Sequence, residues 1–480
     1  MGFDLGAELA AVRGQGYDLH SKYLNPQLPR TLHTIGFDRD YVRGEGAYLY
    51  DAEGNAYADF LAGFGVFAAG RSHPVIKKAL QDALDMDFAA WTQFDCQPIM
   101  GLLGQKLLAK APGLERVFFC NSGTEAVESA LKFARHSTGK GRILYARHGF
   151  HGLTAGSLSV NGAEEFKAGF GPLLPGTEIP LGDIAALEAE LRKGDVAALI
   201  VEPVQGHGVM VTPPGFLPEA KALLHKHGAL LICDEVQAGL GRTGRFFSYQ
   251  HDDVQPDIVT VAKALSGGYV PVGAMLTTDK IFGSVYSSMD KVMVHSTTFK
   301  GGSLAMAAGL ASLAVIDDEG LVENAERRGA ELMRGLEGLK AKYDLIQDVR
   351  GKGLIIGIEF GKPSGLKAKA GWAMLQKARV GLFAQMVVVA LFQRHRILTQ
   401  VSGDHLEVIK LIPPLMIGDA EVKLFLDGLG DVLDDASKGS GLMWDFGRTL
   451  IKQAVRASLP LSSAGECAAG LPLLPGRSGK

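Results

Sequence analysis

Apolar runs alternate with amphipathic segments through the middle of this 480-residue chain. Four continuous apolar runs of strand length predict buried strands, at 116–121, 196–203, 229–235 and 257–262. Two segments between them, 124–137 and 218–228, place apolar residues at helical spacing and predict amphipathic helices. Strands that are apolar throughout and are separated by such helices favour a mostly parallel sheet covered on both faces. The ligands of such sheets gather at the carboxyl ends of the strands.

The rest of the pattern predicts a second, smaller α/β region. Residues 47–60 predict a β-hairpin around the turn Glu53-Gly54-Asn55. A long helical stretch covers 303–343, and the apolar run 349–360 after it begins an α/β region that ends near residue 437. We therefore predict an N-terminal segment and hairpin that belong to a small domain, a large domain, a C-terminal small domain, and a helical extension with a disordered end, at 1–75, 76–315, 316–437 and 438–480.

Composition and charge exclude several classes of protein. The 49 Lys and Arg residues nearly balance the 52 Asp and Glu residues, so no basic surface for nucleic acid is expected. The most apolar run, 380–392, falls short of the roughly 20 residues of a membrane helix and predicts a packed helix or helix–strand pair. The four cysteines are scattered without metal-ligand spacing and predict reduced thiols. A cytoplasmic protein without a metal or membrane partner is expected, and the N-terminus has no signal-peptide pattern.

Two loops after predicted strands carry residues suited to a ligand. Ser122-Gly123-Thr124 opens a helix, where backbone N–H groups and the helix dipole bind phosphate well. An ordinary helix N-cap explains the same residues. Phe150 lies between glycines in "HGFHG", with His151 beside it, and its ring suits a planar ligand. A loop aromatic that merely covers the core is the alternative.

An acid and an amine follow two further apolar strands. Asp234 ends one strand, where a carboxylate must find a cation or strong donors, or take up a proton. Lys263 ends another strand 29 residues later, although alone it reads as a lysine that reaches back to water. The glycines of 239–244 imitate a dinucleotide fingerprint but precede no periodic helix, which disfavours a nicotinamide oxidoreductase.

One cofactor needs all of these groups together. Pyridoxal phosphate requires a lysine for its aldehyde, an acid at its ring nitrogen, a group that stacks on its ring and a phosphate cup. The lysine must also be neutral for part of the cycle, and a desolvated strand end favours the neutral form. Jointly these features predict a pyridoxal-phosphate site.

Several longer motifs carry a family resemblance. In chain order they are "GAYLYDAEGNAYADFLAGFGVFAAGRSHP", "FCNSGTEAVESALKFAR", "HGFHG", "VEPVQGHG", "LLICDEVQAGLGRTGRFF", "PDIVTVAKALSGGYVPVGA", "HSTTFKGGSLAMAA", "VRGKGLIIGIEF" and "IKLIPPL". From about residue 30 to about 437 the chain resembles the class III, fold-type I pyridoxal-phosphate aminotransferases, which include acetylornithine, ornithine, putrescine and 4-aminobutyrate transaminases. The resemblance implies a fold-type I α/β architecture and amino-group transfer between an amine and a keto acid or aldehyde.

The resemblance also implies roles for individual residues. Lys263 would bond to the cofactor and later move a proton between the substrate and the cofactor, and Asp234 would pair with the pyridine nitrogen. Phe150 and Val236 would cover the two ring faces, and Gln237 would reach the phenolic oxygen. Cofactor contacts are further expected at Ser122, Gly123, Thr124, His151, Glu202 and Thr298. Thr298 would complete the phosphate cup of a neighbouring subunit, which implies a homodimer or a higher homo-oligomer.

Two departures from the family pattern concern the substrate. His207 stands where many relatives have the glutamate that pairs with a substrate-binding arginine, and Lys410 stands at the position of that arginine. Lysine is a poor replacement for bidentate carboxylate recognition. We therefore hypothesise a substrate without the ordinary α-amino carboxylate, such as a diamine or a hydrophobic aldehyde. Phe64 and Val66, in the entrance strand of the family, would then form an apolar pocket.

Other functions remain open from the sequence. Lys410 could anchor an α-amino acid at a single point, as an acetylornithine- or ornithine-type enzyme would require. An aminomutase is a further alternative, because cofactor residues do not dictate the reaction on a shared scaffold. A cofactor-binding protein without catalysis is a third, and the presence of both Lys263 and Asp234 weighs against it.

Overall fold

The computed structural model describes residues 2–88, 95–378, 380–403 and 406–438. The strands are β1 (Tyr41–Glu45), β2 (Tyr48–Asp51), β3 (Ala56–Asp59), β4 (Arg116–Cys120), β5 (Arg142–Ala146), β6 (Gly176–Ile179), β7 (Val196–Val201), β8 (Leu230–Asp234), β9 (Ile258–Val261), β10 (Gly273–Thr277), β11 (Ile346–Lys352), β12 (Ile355–Phe360), β13 (Ile397–Leu398), β14 (Gln400–Val401) and β15 (Val408–Leu411).

The helices complete the described structure. They are α1 (Leu5–Ala11), α2 (Gly16–Tyr23), α3 (Gln27–Ile35), α4 (Ala62–Gly65), α5 (Pro74–Asp85), α6 (Pro98–Ala109), α7 (Gly123–Thr138), α8 (Ala155–Ser159), α9 (Glu164–Lys167), α10 (Ile184–Leu191), α11 (Phe216–Lys226), α12 (Asp279–Val285), α13 (Ser303–Asp318), α14 (Leu321–Lys342), α15 (Leu366–Ala378), α16 (Leu382–His395) and α17 (Asp419–Ser437). Short 3₁₀ helices occupy Ser248–Asp252, Lys263–Ser266 and Met289–Lys291.

The central sheet confirms the predicted α/β architecture. Its seven strands follow the order β4-β10-β9-β8-β7-β5-β6, and only β10 runs antiparallel to its neighbours. Every residue of β7 is buried, and its side chains alternate between the two faces of the sheet. Leu199 and Val201 pack into one hydrophobic core cluster, while Ala198 and Ile200 pack into another. A sheet covered on both faces explains why the strands read as continuous apolar runs.

The carboxyl ends of the parallel strands place the predicted chemistry at one edge of the sheet. Strand β8 ends at Asp234, and β9 ends two residues before Lys263. Strand β7 ends directly before Glu202, and β4 ends two residues before Ser122. The loop with Phe150 follows β5. Residues that could bind a ligand are far apart in the sequence, but they therefore meet at this edge of the sheet.

Two smaller sheets join the ends of the chain. The predicted hairpin forms from β2 and β3, and β13 pairs with β3 in parallel, with Ile397 opposite Ala58. The antiparallel sheet β11-β12-β15-β14 carries Lys410 on β15. The pairing of β3 with β13 joins the N-terminal hairpin to the C-terminal part, as expected for a small domain built from both ends. The domain boundaries themselves stay predictions.

The segment Ala62–Gly65 is a helical turn, so its expected place in an entrance strand is wrong. The carboxylate of Asp59 accepts hydrogen bonds from the backbone N–H groups of Leu61 and Ala62, which bends the chain after β3. Gly63 and Phe64 then adopt left-handed backbone angles, with φ of 60° and 63°. An extended strand is incompatible with these angles.

Two further differences concern helices. The stretch 303–343 is two helices, because Gly320 between α13 and α14 has a φ of 59°, which ends regular helix. The apolar run at 380–392 lies largely in helix α16, one of the two predicted alternatives, and most of that helix is buried.

Some expectations concern residues outside the described ranges. The predicted helical extension and its expected disordered end lie there except for residue 438, and so does Cys467. Cys120 and Cys233 are free thiols buried in β4 and β8, and Cys96 is free and exposed. Within the described ranges, no single helix is long and apolar enough to cross a membrane. Ala368–Lys377 and Leu382–His395 reach that length only as a pair bent by 110°.

Candidate active site

A cavity of about 1090 Å³ opens at the carboxyl edge of the central sheet. It gathers nearly all the residues that the sequence singled out, namely Phe64, Val66, Ser122, Gly123, Thr124, Phe150, His151, Glu202, His207, Asp234, Val236, Gln237, Lys263 and Lys410. Among the described residues, no group of three His, Cys, Asp or Glu side chains could hold a metal ion.

Asp234 is a fixed carboxylate at the end of β8. It is 3% exposed and accepts hydrogen bonds from the Thr260 hydroxyl at 2.9 Å and from the Val236 N–H at 3.0 Å. Its other oxygen lies 2.7 Å from Nδ1 of His151. These partners satisfy a buried charge that would otherwise be costly. These hydrogen bonds also fix the position of the Asp234 carboxylate in the cavity lining.

Lys263 is the first residue of the short 3₁₀ helix Lys263–Ser266 and not simply a loop residue. Its φ of 46° is left-handed, an uncommon and strained angle for a lysine. Burial lowers the pKa of its amine, and the nearby Asp234 and Glu202 only partly oppose that effect. Within the described part of the chain, no hydrogen bond reaches this amine. An unpartnered amine with a lowered pKa is more readily available as a nucleophile for a carbonyl carbon.

The turn before α7 forms a cradle of backbone and hydroxyl groups. Ser122 is the N-cap of α7 and accepts a hydrogen bond from the Glu125 N–H, so the ordinary capping role is present. The Thr124 hydroxyl lies 2.8 Å from that of Thr154 and 2.6 Å from that of Ser157. This arrangement places hydroxyl donors beside a helix N-terminus, which favours an anion.

Glycine is required at the start of that cradle. A Cβ on Gly123 would lie 2.9 Å from Cγ1 of Val236, closer than side-chain atoms pack. The backbone of residue 123 and the side chain of Val236 therefore share one narrow space. A planar ring above Val236 and a phosphate at residue 123 fit this geometry together.

Glu202 joins two loops of the cavity. Its carboxyl oxygens accept hydrogen bonds from the Phe150 N–H at 2.9 Å and from the Gly206 N–H at 2.8 Å. Burial raises the pKa of this carboxyl group, and His151 partly opposes the effect. Glu202 thus holds the Phe150 loop against the turn that carries His207.

The residues present fit pyridoxal phosphate. A buried amine, a fixed carboxylate, an aromatic ring and a phosphate cradle surround one cavity, as that cofactor requires. When bound, pyridoxal phosphate supplies an electron sink that stabilises negative charge at the substrate carbon. Here Lys263 would hold its aldehyde carbon, Asp234 its ring nitrogen and residues 122–124 its phosphate.

The chain belongs to the class III aminotransferase family, whose sequence profile matches residues 33–433. It is a pyridoxal-phosphate-dependent aminotransferase of fold-type I. An acetylornithine aminotransferase of Methanopyrus kandleri is 40% identical over 396 residues, 82% of this chain and 93% of that protein. The aminotransferase PigE of a Serratia species is 35% identical over 461 residues, 89% of this chain. This chain spans 54% of the Serratia protein's length.

Solved structures agree with that assignment. The ornithine aminotransferase of Toxoplasma gondii superposes with a TM-score of 0.79 at 28% identity, covering 91% of this chain and 100% of that one. A pyridoxal-phosphate-bound amine transaminase from an uncultivated Pseudomonas species gives a TM-score of 0.72 at 30% identity, covering 83% of this chain and 95% of that one.

Thr298 is exposed and does not line the cavity of its own chain, which is compatible with its expected place at the site of a neighbouring subunit, and that role stays a prediction. The Gln237 amide is engaged at both ends, because its Nε2 donates to the Phe64 carbonyl at 3.0 Å and its Oε1 accepts from Lys410. The second N–H of Nε2 has no partner among the described residues and could still reach a phenolic oxygen, so the predicted contact of Gln237 stays a prediction.

Lys410 is a buried amine held by the protein itself. It is 3% exposed, and its Nζ donates to the Gly206 carbonyl at 2.8 Å and to Oε1 of Gln237 at 3.1 Å. Burial, reinforced by the positive charge of Lys263, lowers its pKa to about 7. A neutral amine has two N–H groups, and both are used here.

The sequence did not reveal several other residues of the cavity. Phe166, Glu165 and Val401 line it from segments far from the motifs. Thr154 and Ser157, at the start of α8, surround Thr124. A cluster of small hydroxyl residues three apart after "HGFHG" was the only signal in the chain, and such spacing is common at helix starts.

Replacing Lys263 with alanine tests the site. We expect Lys263→Ala to abolish the visible absorbance of covalently held cofactor and to lower turnover by at least about 1000-fold, because the variant lacks the amine that would hold the cofactor and carry the proton. Absorbance spectra, initial rates and a thermal melt measure this. The exposed Lys78, replaced with alanine as a matched control, should change none of them. If the Lys263→Ala variant kept the absorbance of covalently held cofactor, the assignment of Lys263 would be contradicted.

Proposed function

We propose that this aminotransferase transfers the amino group of a terminal amine, such as a diamine or an alkyl amine, or aminates the corresponding aldehyde. The observation that carries the proposal is the state of Lys410. Its contacts with Gly206 and Gln237 use the N–H groups that a substrate carboxylate would need. A pKa near 7 further weakens it as a cation at physiological pH.

The remaining lining supports the same substrate class. Among the described residues that surround the cavity there is no arginine, the side chain best suited to bidentate binding of a carboxylate. Apolar side chains also line the cavity, including Phe64, Val66 and Val401. A carbon chain therefore finds apolar contacts, and a carboxylate finds no free guanidinium.

An amino-acid substrate is the second candidate. Relatives named acetylornithine aminotransferase and ornithine aminotransferase favour it. In that case Lys410 would leave Gln237 and bind the carboxylate at a single point. The cost would be an unsatisfied Gln237 oxygen in a buried site.

For the reaction itself, Lys263 would hold the cofactor until the substrate amine takes its place, and its freed amine would then carry the proton at the reacting carbon. Burial supports this role, because it lowers the pKa of the amine and favours the form that can accept a proton. The negative charge of Asp234 would favour a protonated ring nitrogen when the cofactor is bound. The hydrogen bonds from Thr260 and Val236 hold the carboxylate in that orientation.

The active enzyme is a homodimer or a larger homo-oligomer in this proposal. Thr298 is exposed, and the segment 289–299 that contains it carries several strongly exposed apolar side chains, among them Met289 at 93%, Val292 at 62% and Phe299 at 57%. Such a patch is unusual on the surface of a monomer. A second copy would cover it and bring Thr298 to the phosphate cradle of the neighbouring site.

The amine donor distinguishes the candidates. We expect rapid half-reactions, followed by cofactor absorbance, with 1,4-diaminobutane and 1-heptylamine. Ornithine and N-acetylornithine should react at least about tenfold more slowly, since no free guanidinium binds their carboxylate. Fast reaction with N-acetylornithine and none with the amines would overturn the proposal. Loss of amine without a keto acid or aldehyde acceptor would instead indicate a mutase.

Sedimentation tests the assembly. The enzyme should sediment with the mass of two or more chains, and Met289→Glu should shift it towards one chain and loosen cofactor binding, because a charge in this apolar segment opposes burial by a second copy. Met86→Glu, at an exposed methionine outside that segment, is the control. A single-chain mass with full turnover would exclude a shared active site.

A further inference from the structure

Three aromatic rings from separate segments meet on one side of the cavity. The Phe150 and His207 rings stack at 5.4 Å with 25° between their planes. Phe166 contacts both, at 5.3 Å from Phe150 and 5.6 Å from His207. All three residues line the cavity. We call Phe166 and His207, with Phe150 behind them, the aromatic wall.

The turn that carries His207 is clamped by the C-terminal part of the chain. The Ser402 hydroxyl accepts from the Gly208 N–H at 3.0 Å and donates to the Gly206 carbonyl at 3.1 Å. Lys410 donates to the same Gly206 carbonyl. The Arg350 guanidinium donates to the Gly208 carbonyl through Nε at 3.0 Å and Nη2 at 2.6 Å. Hydrogen bonds on both sides of His207 leave the turn little freedom to swing.

Phe166 is held in place as well. The Gly162 N–H donates to the Gly149 carbonyl at 2.8 Å, which joins the segment before Phe166 to the loop that carries Phe150. In the same short helix, the Lys167 amine donates to the Tyr145 hydroxyl at 2.8 Å. The two loops therefore position each other, and the ring contacts persist without help from a ligand.

The electrostatics of His207 suit an apolar role. Burial, reinforced by the charge of Lys410, lowers its pKa to about 4, so the imidazole is neutral at physiological pH. Within the described residues, no hydrogen bond or ion pair reaches its ring. Its contacts are those of a stacked aromatic ring. A charged gate at this position would need a partner of opposite sign.

We propose that Phe166 and His207 are specificity-determining residues that receive the hydrocarbon chain of the substrate and select long alkyl or aryl amines. The inference rests on the proposed function and names the substrate class within it. Protein contacts hold the aromatic wall in place before the substrate binds. Substrate binding therefore loses little conformational entropy in ordering these side chains. A short alkyl amine would cover less of the aromatic wall. Less apolar surface would be buried, and the free energy of binding would be less favourable.

Chain-length dependence of the holoenzyme tests the wall. The readout is the ratio of kcat/KM for 1-heptylamine to that for 1-propylamine. We expect a ratio of at least about ten in the parent enzyme, because four more methylene groups are partly buried. Phe166→Ala and His207→Ala should each lower the ratio about five- to tenfold, mainly through KM. His207→Phe should keep it within about twofold, since the ring and not its nitrogens makes the contact.

Matched variants keep the test decisive. Phe170→Ala removes an exposed phenylalanine, 69% exposed, from the same segment outside the cavity and should leave the ratio unchanged. Phe166→Leu, a milder change, should lower the ratio about threefold and serves if the alanine variant loses its cofactor.

The outcomes separate the two proposals. An unchanged ratio in all wall variants, or a loss in His207→Phe equal to that in His207→Ala, would overturn the wall while amine turnover still supported the proposed function. If no terminal amine reacts in the parent enzyme and N-acetylornithine does, the proposed function fails, and the wall inference fails with it.

Discussion

Desolvation of two amines in one cavity is the constraint on which this site depends. Lys263 and Lys410 both lie on the cavity lining, and burial lowers the pKa of each. The charge of Lys263 lowers the pKa of Lys410 further, while only Glu202 among the nearby acids opposes it. Asp234 and Glu202 together oppose the effect on Lys263. Crowded cations in a place that water barely reaches favour the neutral forms of both amines.

The same constraint gives the two lysines different tasks. Lys263 has no hydrogen-bond partner among the described residues and lies on a strained backbone, so its amine is free to react. Lys410 donates hydrogen bonds to the Gly206 carbonyl and to Gln237. These bonds help to hold the turn that carries His207 against Phe150. In the proposed function, Lys263 takes part in the chemistry and Lys410 shapes the cavity that would receive the substrate.

Much of the fold was predictable because burial on both faces leaves a local signature. The apolar runs that became β4, β7, β8 and β9 were found with their bounds nearly correct, and the mostly parallel sheet followed from them. Asp234 stood out because it ends such a strand, and Lys263 because it closely follows one. Their meeting in one cavity is what parallel topology imposes on strand ends.

Other features depend on contacts between distant segments. The left-handed turn at Gly63 and Phe64 is set by the Asp59 carboxylate and by packing that no short window reveals. Phe166 joins the cavity only because the loops around Gly149 and Gly162 bind each other. The state of Lys410 depends on a carbonyl 204 residues away in the sequence. The sequence identifies Lys410 as unusual at its position. Only the fold shows that its N–H groups already donate hydrogen bonds within the protein.

The pH dependence of stability tests most directly whether Lys410 is desolvated. An unfolded lysine keeps its proton up to about pH 10.5, whereas Lys410 in the fold loses it above about pH 7. Between these values the unfolded state binds more protons, so the free energy of unfolding rises with pH. Urea unfolding from pH 7 to 9.5 should show this rise and a shallower one in Lys410→Met, with the exposed Lys78→Met as control. Parallel curves for the enzyme and Lys410→Met would show an ordinary, hydrated lysine and contradict the account.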